Sequence, residues 1–326
     1  MRARGTLAVL IAVAAALPDP APAQSWPARP LTMVVTFAAG GGDDVLARII
    51  GPRLSQALGQ PVVIENISGA GGMTGAARVA KAPRDGYQFV LGGTGPFAAN
   101  QTLYRHPLYR AETDFAPVAL LAEQPLLLLA RKDFPANDLP AFIAYTKANQ
   151  AHMQYGSPGV GSTSHLACVL LNAAIGLDVT NVPYRGGAPA YQDLIAGRID
   201  YMCPYSSTAT PQVRAGVLKA IAVLSKHRLP ALPNVGSADE QGLPGFDAYQ
   251  WFGLFLPRGT PAEIVSKLHD AAVAALDSPE VRERLDQIGA SVVAPERRSS
   301  AYLQGFVARE TSKWGAAIRA ANIELE

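Results

Sequence analysis

Three consecutive hydroxyl residues, Ser162, Thr163 and Ser164, stand between a glycine-rich turn and an apolar segment with helical spacing. A helix that starts there would present free backbone N–H groups and the positive end of its dipole beside these hydroxyls. Such a cluster can bind a carboxylate without a nearby cation, because each charge-assisted hydrogen bond contributes about 1.5–3 kcal/mol. Two or three such bonds would support micromolar affinity, roughly −8 kcal/mol. The alternative, which we expect for at least one of the three, is that a serine caps its own helix.

A second anion-binding turn is predicted at the glycines 40–42, which follow the apolar segment 33–37. Glycine lets the backbone turn sharply and approach another group closely. Asp43 and Asp44 come next, at the expected N-cap of a helix. If Asp43 points into a cleft, it would repel a second carboxylate and favour an ammonium or a hydroxyl group. If it caps the helix, it has no effect on ligand choice; we favour capping, although Asp44 competes for that role.

Another strand-to-helix turn, PYRGG at residues 183–187, follows in the same half of the chain as the hydroxyl cluster. Arg185 could reach an anion or brace a hinge, and Tyr184 could form a wall of a cleft or simply pack. The glycine-rich segment 69–75 has the spacing G-x-G-x-x-x-G, which differs from the dinucleotide-binding pattern. We therefore predict no nucleotide cofactor.

The residue patterns of common enzymes are absent from the sequence. None of the five histidines has the spacing of a metal site, and there is no G-x-S-x-G motif. Ser164 and His165 are adjacent, and adjacent residues on a helix do not face each other. We predict no catalytic residue and no metal, and keep as the alternative an exported hydrolase that uses Ser162 or Ser164 with a distant base.

The N-terminus carries the features of a secretory signal peptide, with basic Arg2 and Arg4, a short apolar core and the small-residue site Ala-Pro-Ala at 21–23. Removing residues 1–23 takes Arg2, Arg4 and Asp19 from 28 basic and 26 acidic residues, which leaves a net charge of +1. That balance argues against binding to nucleic acid. The mature protein is expected to be exported.

The chain has two cysteines, Cys168 and Cys203. They are too few for a disulfide scaffold and lack metal-site spacing. An oxidising compartment would allow one bridge between them; two separate buried thiols are the alternative that we favour.

Strands and helices alternate from residue 31, which predicts an α/β fold with mostly parallel sheets. The strand, glycine turn and helix of residues 31–50 recur at 153–174, so two lobes are expected. The apolar segment 115–130 is predicted as two consecutive strands that cross between them, and 217–224 and 248–257 as return crossings. We predict a first domain of residues 24–122 and 223–326 and a second of residues 123–222, with the C-terminal helices packed on the first.

With these features in view, the sequence resembles the periplasmic solute-binding proteins of tripartite tricarboxylate transporters, called the Bug family. The resemblance covers residues 26–314 and is carried by these segments in order: WPARPLTMVV, GGGDDVLAR, VVIENISGAGGMTGAARVAKAPRDGY, DFAPVALL, YGSPGVGSTSHLA, VPYRGGAPAYQDLIAGRID and WFGLFLPRGTP. It implies a type II periplasmic-binding-protein fold, in which two α/β lobes joined by crossing strands close on a ligand in the cleft between them. It also implies a receptor that delivers a small organic carboxylate or amino acid to the subunits of a membrane permease.

The resemblance implies the ligand-binding residues Phe37, Gly40, Gly41, Gly42, Asp43, Thr94, Gly161, Ser162, Thr163, Tyr184, Arg185 and Gly186. Gly42 departs from the family, which usually has a hydroxyl residue there, and Asp43 replaces a small polar residue. The few aromatic residues favour an aliphatic acid. We expect a periplasmic monomer that transports its ligand; a sensor that contacts a signalling partner is the alternative.

Overall fold

A computed structural model describes residues 26–320. The predicted signal peptide, residues 1–23, lies outside this range. In chain order, the described residues form eleven strands: β1 (Leu31–Val35), β2 (Val62–Asn66), β3 (Gln88–Gly93), β4 (Phe115–Pro125), β5 (Leu127–Arg131), β6 (Gln154–Ser157), β7 (Thr180–Pro183), β8 (Tyr201–Met202), β9 (Leu218–Val223), β10 (Tyr249–Pro257) and β11 (Ser291–Val292).

The same residues form ten α-helices, together with short 3₁₀ and π segments. The helices are α1 (Gly42–Leu58), α2 (Met73–Ala80), α3 (Asn100–Leu103), α4 (Leu139–Asn149), α5 (Thr163–Ile175), α6 (Gly187–Ile195), α7 (Ser206–Arg214), α8 (Ala262–Asp277), α9 (Pro279–Gln287) and α10 (Ser300–Ala320). None of the helices in this described part of the chain is both long and apolar enough to cross a membrane.

The strands form two sheets, with the orders β11-β4-β10-β3-β1-β2 and β7-β6-β8-β5-β9. The predicted α/β class and the two-lobe architecture are confirmed. The expectation of mostly parallel sheets is wrong, because both sheets are mixed. β1 pairs in parallel with β2 and β3, and β6 with β7 and β8, whereas β10 and β5 are antiparallel to their neighbours. The difference arises because the strands entering from the other lobe run against the βαβ units that they join.

Two connections link the sheets. β4 ends in the first sheet and β5 begins in the second, with Leu126 between them. The return runs from β9 to β10, and the intervening Leu224, Ala238 and Ala248 pack in the second core. This packing places the second crossing near residues 248–249, and the predicted domain boundaries stay a prediction.

Each sheet is covered on both faces, which explains why β1 is a continuous apolar segment. Val35, Leu46 and Leu268 belong to one core of the first sheet, between the sheet, α1 and α8. Val34 and Trp314 belong to the core on its opposite face, where α10 packs. The predicted placement of the C-terminal helices on the first lobe therefore agrees with the packing.

The two cysteines form a disulfide between Cys168 on α5 and Cys203 just after β8. The preferred expectation of two separate thiols is thus wrong. Sequence spacing could not decide this, because 35 residues separate the cysteines and only the packing of α5 on the second sheet brings them together. The bridge ties the hydroxyl-rich turn to the segment that leads into α7.

Candidate functional site

A cavity lies between the two sheets, at the ends of β1, β6 and β8. Its volume is about 40 Å³. Ligands of open α/β sheets bind at the carboxyl ends of the strands, where this cavity lies. Its walls are formed by Phe37, Ala38, Gly40, Gly41, Gly42, Asp43, Pro158, Ser162, Ser164, Gly186, Gly187, Tyr191, Met202, Pro204, Tyr205 and Thr208.

Four helix N-termini meet at this cavity. α1, α5, α6 and α7 each supply the N-cap residue to the wall, and these residues are Gly41, Ser162, Gly186 and Tyr205. The first N–H groups of a helix have no partner within it, and the dipole adds partial positive charge there. Within residues 26–320, no lysine or arginine side chain lines the cavity. The site is therefore built to hold an anion by backbone and hydroxyl groups.

The two aspartates of the first turn have different roles. Asp44 accepts hydrogen bonds from the Gly40 N–H at 2.9 Å, from Arg48 Nε at 2.8 Å and from Asn66 Nδ2 at 3.0 Å. These donors hold the pKa of Asp44 below its ordinary value although burial opposes them. Asp44 thus fixes the turn, and it contributes nothing to the cavity wall.

Asp43 lines the cavity and does not cap the helix. The N-cap of α1 is Gly41, which has no side-chain cap, so the favoured expectation that Asp43 caps is wrong. Only 2% of Asp43 is exposed, and its Oδ1 has no hydrogen-bond partner. Burial raises the pKa of Asp43 to about 7, opposed in part by hydrogen bonds from its own backbone and from Tyr205.

Gly42 is required by the close approach of Tyr205. A Cβ atom at position 42 would lie 2.1 Å from Tyr205 Cδ2 and 3.0 Å from Ser207 Oγ. The Tyr205 ring thus occupies the space that a side chain at 42 would fill, and its hydroxyl interacts with Asp43 and Thr163. The departure of Gly42 from the usual hydroxyl residue is explained by this packing.

The three hydroxyls of the second turn also divide their roles. Ser162 caps α5, because its Oγ accepts the His165 N–H at 3.2 Å, and it also donates to Gly159 O at 2.7 Å. The Ser164 hydroxyl lines the cavity, is buried and has no partner. The sequence analysis counted Ser164 among the candidate donors, whereas the residue set implied by the resemblance contained only Ser162 and Thr163; the Ser164 hydroxyl is free to donate.

Thr163 and Gly161 contact the first lobe. Thr163 Oγ1 accepts the Gly95 N–H at 3.1 Å and donates to Gln250 Oε1 at 2.8 Å. A Cβ at Gly161 would lie 3.2 Å from both Asn100 Oδ1 and the Tyr104 hydroxyl. Neither residue lines the cavity, so their direct contact with a ligand stays a prediction.

Thr94 is likewise used within the first sheet. Its hydroxyl donates to Tyr249 O at 3.2 Å and accepts the Trp251 N–H at 3.3 Å, which joins β3 to β10. Thr94 does not line the cavity, and its predicted role in binding is not tested by these contacts.

Tyr184 and Arg185 border a neighbouring, more open part of the cleft. This part has a volume of about 450 Å³ and shares Phe37, Ala38, Pro158 and Gly186 with the main cavity. Tyr184 donates to Asp193 Oδ2 at 2.8 Å, which directs its hydroxyl towards α6. Of the predicted residues, Phe37, the glycines 40–42, Asp43, Ser162 and Gly186 come together in the main cavity.

His165 has no geometry for catalysis. It is buried and its pKa is lowered to about 4 by desolvation, so the ring is neutral at ordinary pH. Its Nδ1 accepts the Gly161 N–H at 3.4 Å. Within residues 26–320, no cluster of three or more His, Cys, Asp and Glu residues could hold a metal ion.

The family model for the tripartite tricarboxylate transporter family receptor matches residues 46–323. The chain belongs to this family. The receptor resembles MatC from Rhodopseudomonas palustris, solved with bound malate, at 44% identity and a TM-score of 0.87 over 90% of this chain and 100% of MatC. It also resembles the periplasmic binding protein BugD at 37% identity and a TM-score of 0.89, over 92% of this chain and 100% of BugD.

R. palustris Rpa4515, solved with adipate, is 37% identical with a TM-score of 0.87, over 92% of this chain and 99% of that protein. The Bug-family resemblance inferred from the sequence is confirmed. The family is one of periplasmic solute-binding receptors, not of enzymes, so the hydrolase alternative is wrong.

Besides Ser164, eight residues of the cavity wall were not among the predicted site residues: Ala38, Pro158, Gly187, Tyr191, Met202, Pro204, Tyr205 and Thr208. Four of them reach the cavity from α6, β8 and the start of α7, namely Tyr191, Met202, Tyr205 and Thr208. The signal that could have found Tyr205 is the segment 201–208, YMCPYSST, which again places hydroxyl residues after a short strand. Its role was hidden because the strand is only two residues long.

Proposed function

We propose that this receptor binds a small aliphatic carboxylic acid or an amino acid in the cavity between its lobes. It then delivers that ligand to the subunits of a tripartite tricarboxylate-type permease. The observation that carries this proposal is the meeting of four helix N-termini in a cavity without a basic side chain. A carboxylate can accept several N–H and O–H hydrogen bonds there, which replace its hydration.

The relatives support the ligand class. MatC was solved with malate and Rpa4515 with adipate, which are both small aliphatic dicarboxylates. The cavity of this receptor also lacks a tryptophan or a pair of stacked rings that would match an aromatic acid, since its ring-bearing wall residues are Phe37, Tyr191 and Tyr205.

The proposal includes export and a monomeric state. Residues 1–23 act as a signal peptide that is removed, and the mature chain works in the periplasm as a monomer. Light scattering of the purified mature protein would give the mass of a single chain. A stable dimer would contradict the monomeric state but not the other parts of the proposal.

Calorimetric titration tests the ligand class. The protein is unfolded and refolded to remove bound solutes and titrated with aliphatic mono- and dicarboxylic acids of three to six carbons and with their amino acid counterparts. At least one acid is expected to bind at micromolar concentration with one site per chain. The primary amide of that acid, which keeps the shape but removes the charge, is expected to bind at least tenfold more weakly.

Failure of every acid to bind would contradict the proposal. Equal binding of the acid and its amide would show that the helix N-termini do not hold an anion. The permease step is tested by uptake of the labelled acid into proteoliposomes that contain the permease, with and without the receptor. Uptake that does not require the receptor would contradict delivery.

A further inference from the structure

The cavity contains one acidic side chain whose hydrogen bonding is incomplete. Asp43 is 2% exposed, and its Oδ1 has no donor in the protein. The oxygen of a buried carboxyl group without a partner is unfavourable, because the water it lost is not replaced. A donor supplied by a bound ligand would complete this group.

The Asp43 carboxyl group also meets the second lobe. The Tyr205 hydroxyl interacts with this carboxyl group, whereas its Oδ1 has no hydrogen-bond partner. Tyr205 can lie this close because Gly42 has no Cβ atom. The pair Gly42 and Tyr205 thus brings the second lobe against Asp43, and Asp43 Oδ1 remains a buried acceptor without a donor.

Other groups of the cavity wall are donors. Ser164 has a buried hydroxyl without a partner, and the first N–H groups of α5 lie beside it. The cavity therefore has a donor region on α5 and an acceptor on α1. A ligand that fits both has a carboxylate at one end and a hydrogen-bond donor towards the other.

From this arrangement we propose that Asp43 selects acids that carry a hydroxyl or an ammonium group over acids that lack a donor. The carboxylate of the ligand binds at α5, and the hydroxyl or ammonium group donates to Asp43 Oδ1. Above about pH 7, where the Asp43 carboxyl group is ionised, a simple dicarboxylate would instead bring its second negative charge against Asp43. The inference rests on the proposed function, since it requires that a carboxylate binds in this cavity.

Two matched series of acids test the selection by calorimetry. The four-carbon series is succinate, malate and aspartate, and the five-carbon series is glutarate, 2-hydroxyglutarate and glutamate. The wild-type receptor is expected to bind a donor-bearing member of one series at least tenfold more tightly than the unsubstituted diacid. The comparison of malate with aspartate, or of their five-carbon equivalents, separates hydroxyl from ammonium.

Three variants test whether Asp43 is the residue that causes the selection. Asp43→Ala removes the acceptor and is expected to bring the members of the series within about threefold of one another. Asp43→Asn, which keeps the shape, is expected to bind succinate or glutarate more tightly than the wild type because the charge is gone. Asp270→Asn is the matched control, since this carboxyl lies on α8 with 74% of its side chain exposed, and it should keep the wild-type ratio.

Tighter binding of the unsubstituted diacids by the wild type, or a ratio unchanged in Asp43→Ala, would overturn the inference while leaving the proposed function intact. If neither the six acids nor any other small carboxylic acid binds, both the inference and the proposed function are overturned. Circular dichroism and the melting temperature of each variant show whether a lost ratio reflects lost folding. If Asp43→Ala does not fold, the affinities of Asp43→Asn for the same acids provide the test.

Discussion

The Thr163 hydroxyl of the second lobe accepts a hydrogen bond from the Gly95 N–H of the first lobe at 3.1 Å. Its own proton goes to Gln250 Oε1 at 2.8 Å, on the strand that crosses between the lobes. All of these groups are buried. One hydroxyl thus joins both lobes and a crossing strand beside the cavity.

Thr163→Val should weaken ligand binding through closure of the cleft. The substitution keeps the side-chain shape but leaves the Gly95 N–H and Gln250 without a buried partner, which costs about 1–3 kcal/mol. If these contacts form when the lobes close, affinity falls about 5- to 150-fold. Calorimetry gives the affinity, and small-angle scattering with and without ligand gives the change in radius of gyration.

The control for this variant is Thr180→Val, on the exposed part of edge strand β7. Its affinity should equal that of the wild type. An unchanged affinity in Thr163→Val as well would mean that this contact does not contribute to closure.

Ser164→Ala and Ser162→Ala should separate binding from capping. The Ser164 hydroxyl has no protein partner, so its loss should weaken carboxylate binding about tenfold or more while the ligand-free melting temperature stays near that of the wild type. Ser162 caps α5, so its loss should cost about 1 kcal/mol of folding stability. Thermal unfolding and calorimetry on both variants make the comparison; the reverse pattern would assign the ligand to Ser162.

Gly42→Ser should destabilise the protein because its side chain would overlap the Tyr205 ring. Overpacking of this kind typically costs about 1–3 kcal/mol. Tyr205→Ala removes the ring, and the double variant should be more stable than the sum of the two single effects predicts. Chemical unfolding of all four proteins gives the coupling free energy, and a value near zero would contradict the contact.

Asp43 should make the ligand-free protein less stable as the pH rises from about 4 to 7. Its pKa is about 7 in the folded state against an ordinary value of 3.8, so the folded protein binds the proton more tightly than the unfolded chain. The stabilisation is complete below the unfolded pKa and is lost as the pH rises through the folded pKa. The shift corresponds to a loss on the order of 4 kcal/mol.

The measurement is the difference in unfolding free energy between the wild type and Asp43→Asn at several pH values from 4 to 8. Asp44, Asp193 and Asp277 have pKa values lowered by their partners, so their effect on stability opposes that of Asp43. Because they are present in both proteins, this effect cancels in the difference. The stability of the wild type relative to the variant should fall with increasing pH. A stability difference that does not change with pH would show that the pKa of Asp43 in the folded protein is not raised into this range.

Replacing both cysteines by alanine should lower the stability by about 3–4 kcal/mol, as expected for a bridge between residues 35 apart. The variant should still fold, because the core around α5 remains. Thermal unfolding of the wild type in a reducing agent should show a similar loss, whereas the variant should not respond to the reducing agent. Equal melting temperatures in all four conditions would contradict the bridge.

Much of the fold could be predicted from local pattern. The segment 115–130 does form two consecutive strands, β4 and β5. Strand direction was harder, because an apolar segment has the same pattern in a parallel and an antiparallel pair. The mixed sheets follow from the crossings, which are properties of the whole chain.

The candidate site could be predicted only in part. Glycine turns and hydroxyl residues located the N-termini of α1 and α5, because their chemistry is local. Which side chain faces the cavity depends on contacts between distant parts of the chain, so it could not be predicted from local sequence. Asp44 is held by Arg48 and Asn66, and this leaves Asp43 to line the cavity. The role of Tyr205 depends on a contact between residues more than 160 positions apart, which no spacing rule describes.

The disulfide between α5 and the segment before α7 has a consequence for how the ligand is captured. It joins α5 to the segment before α7, and the N-termini of these two helices both form part of the cavity wall. The second lobe therefore keeps its part of the cavity in shape when the cleft opens. The arriving ligand then meets a preorganised surface, and less ordering entropy is lost on binding. The recognition surface of the second lobe is in this sense complete before the ligand arrives, and the first lobe need only move onto it.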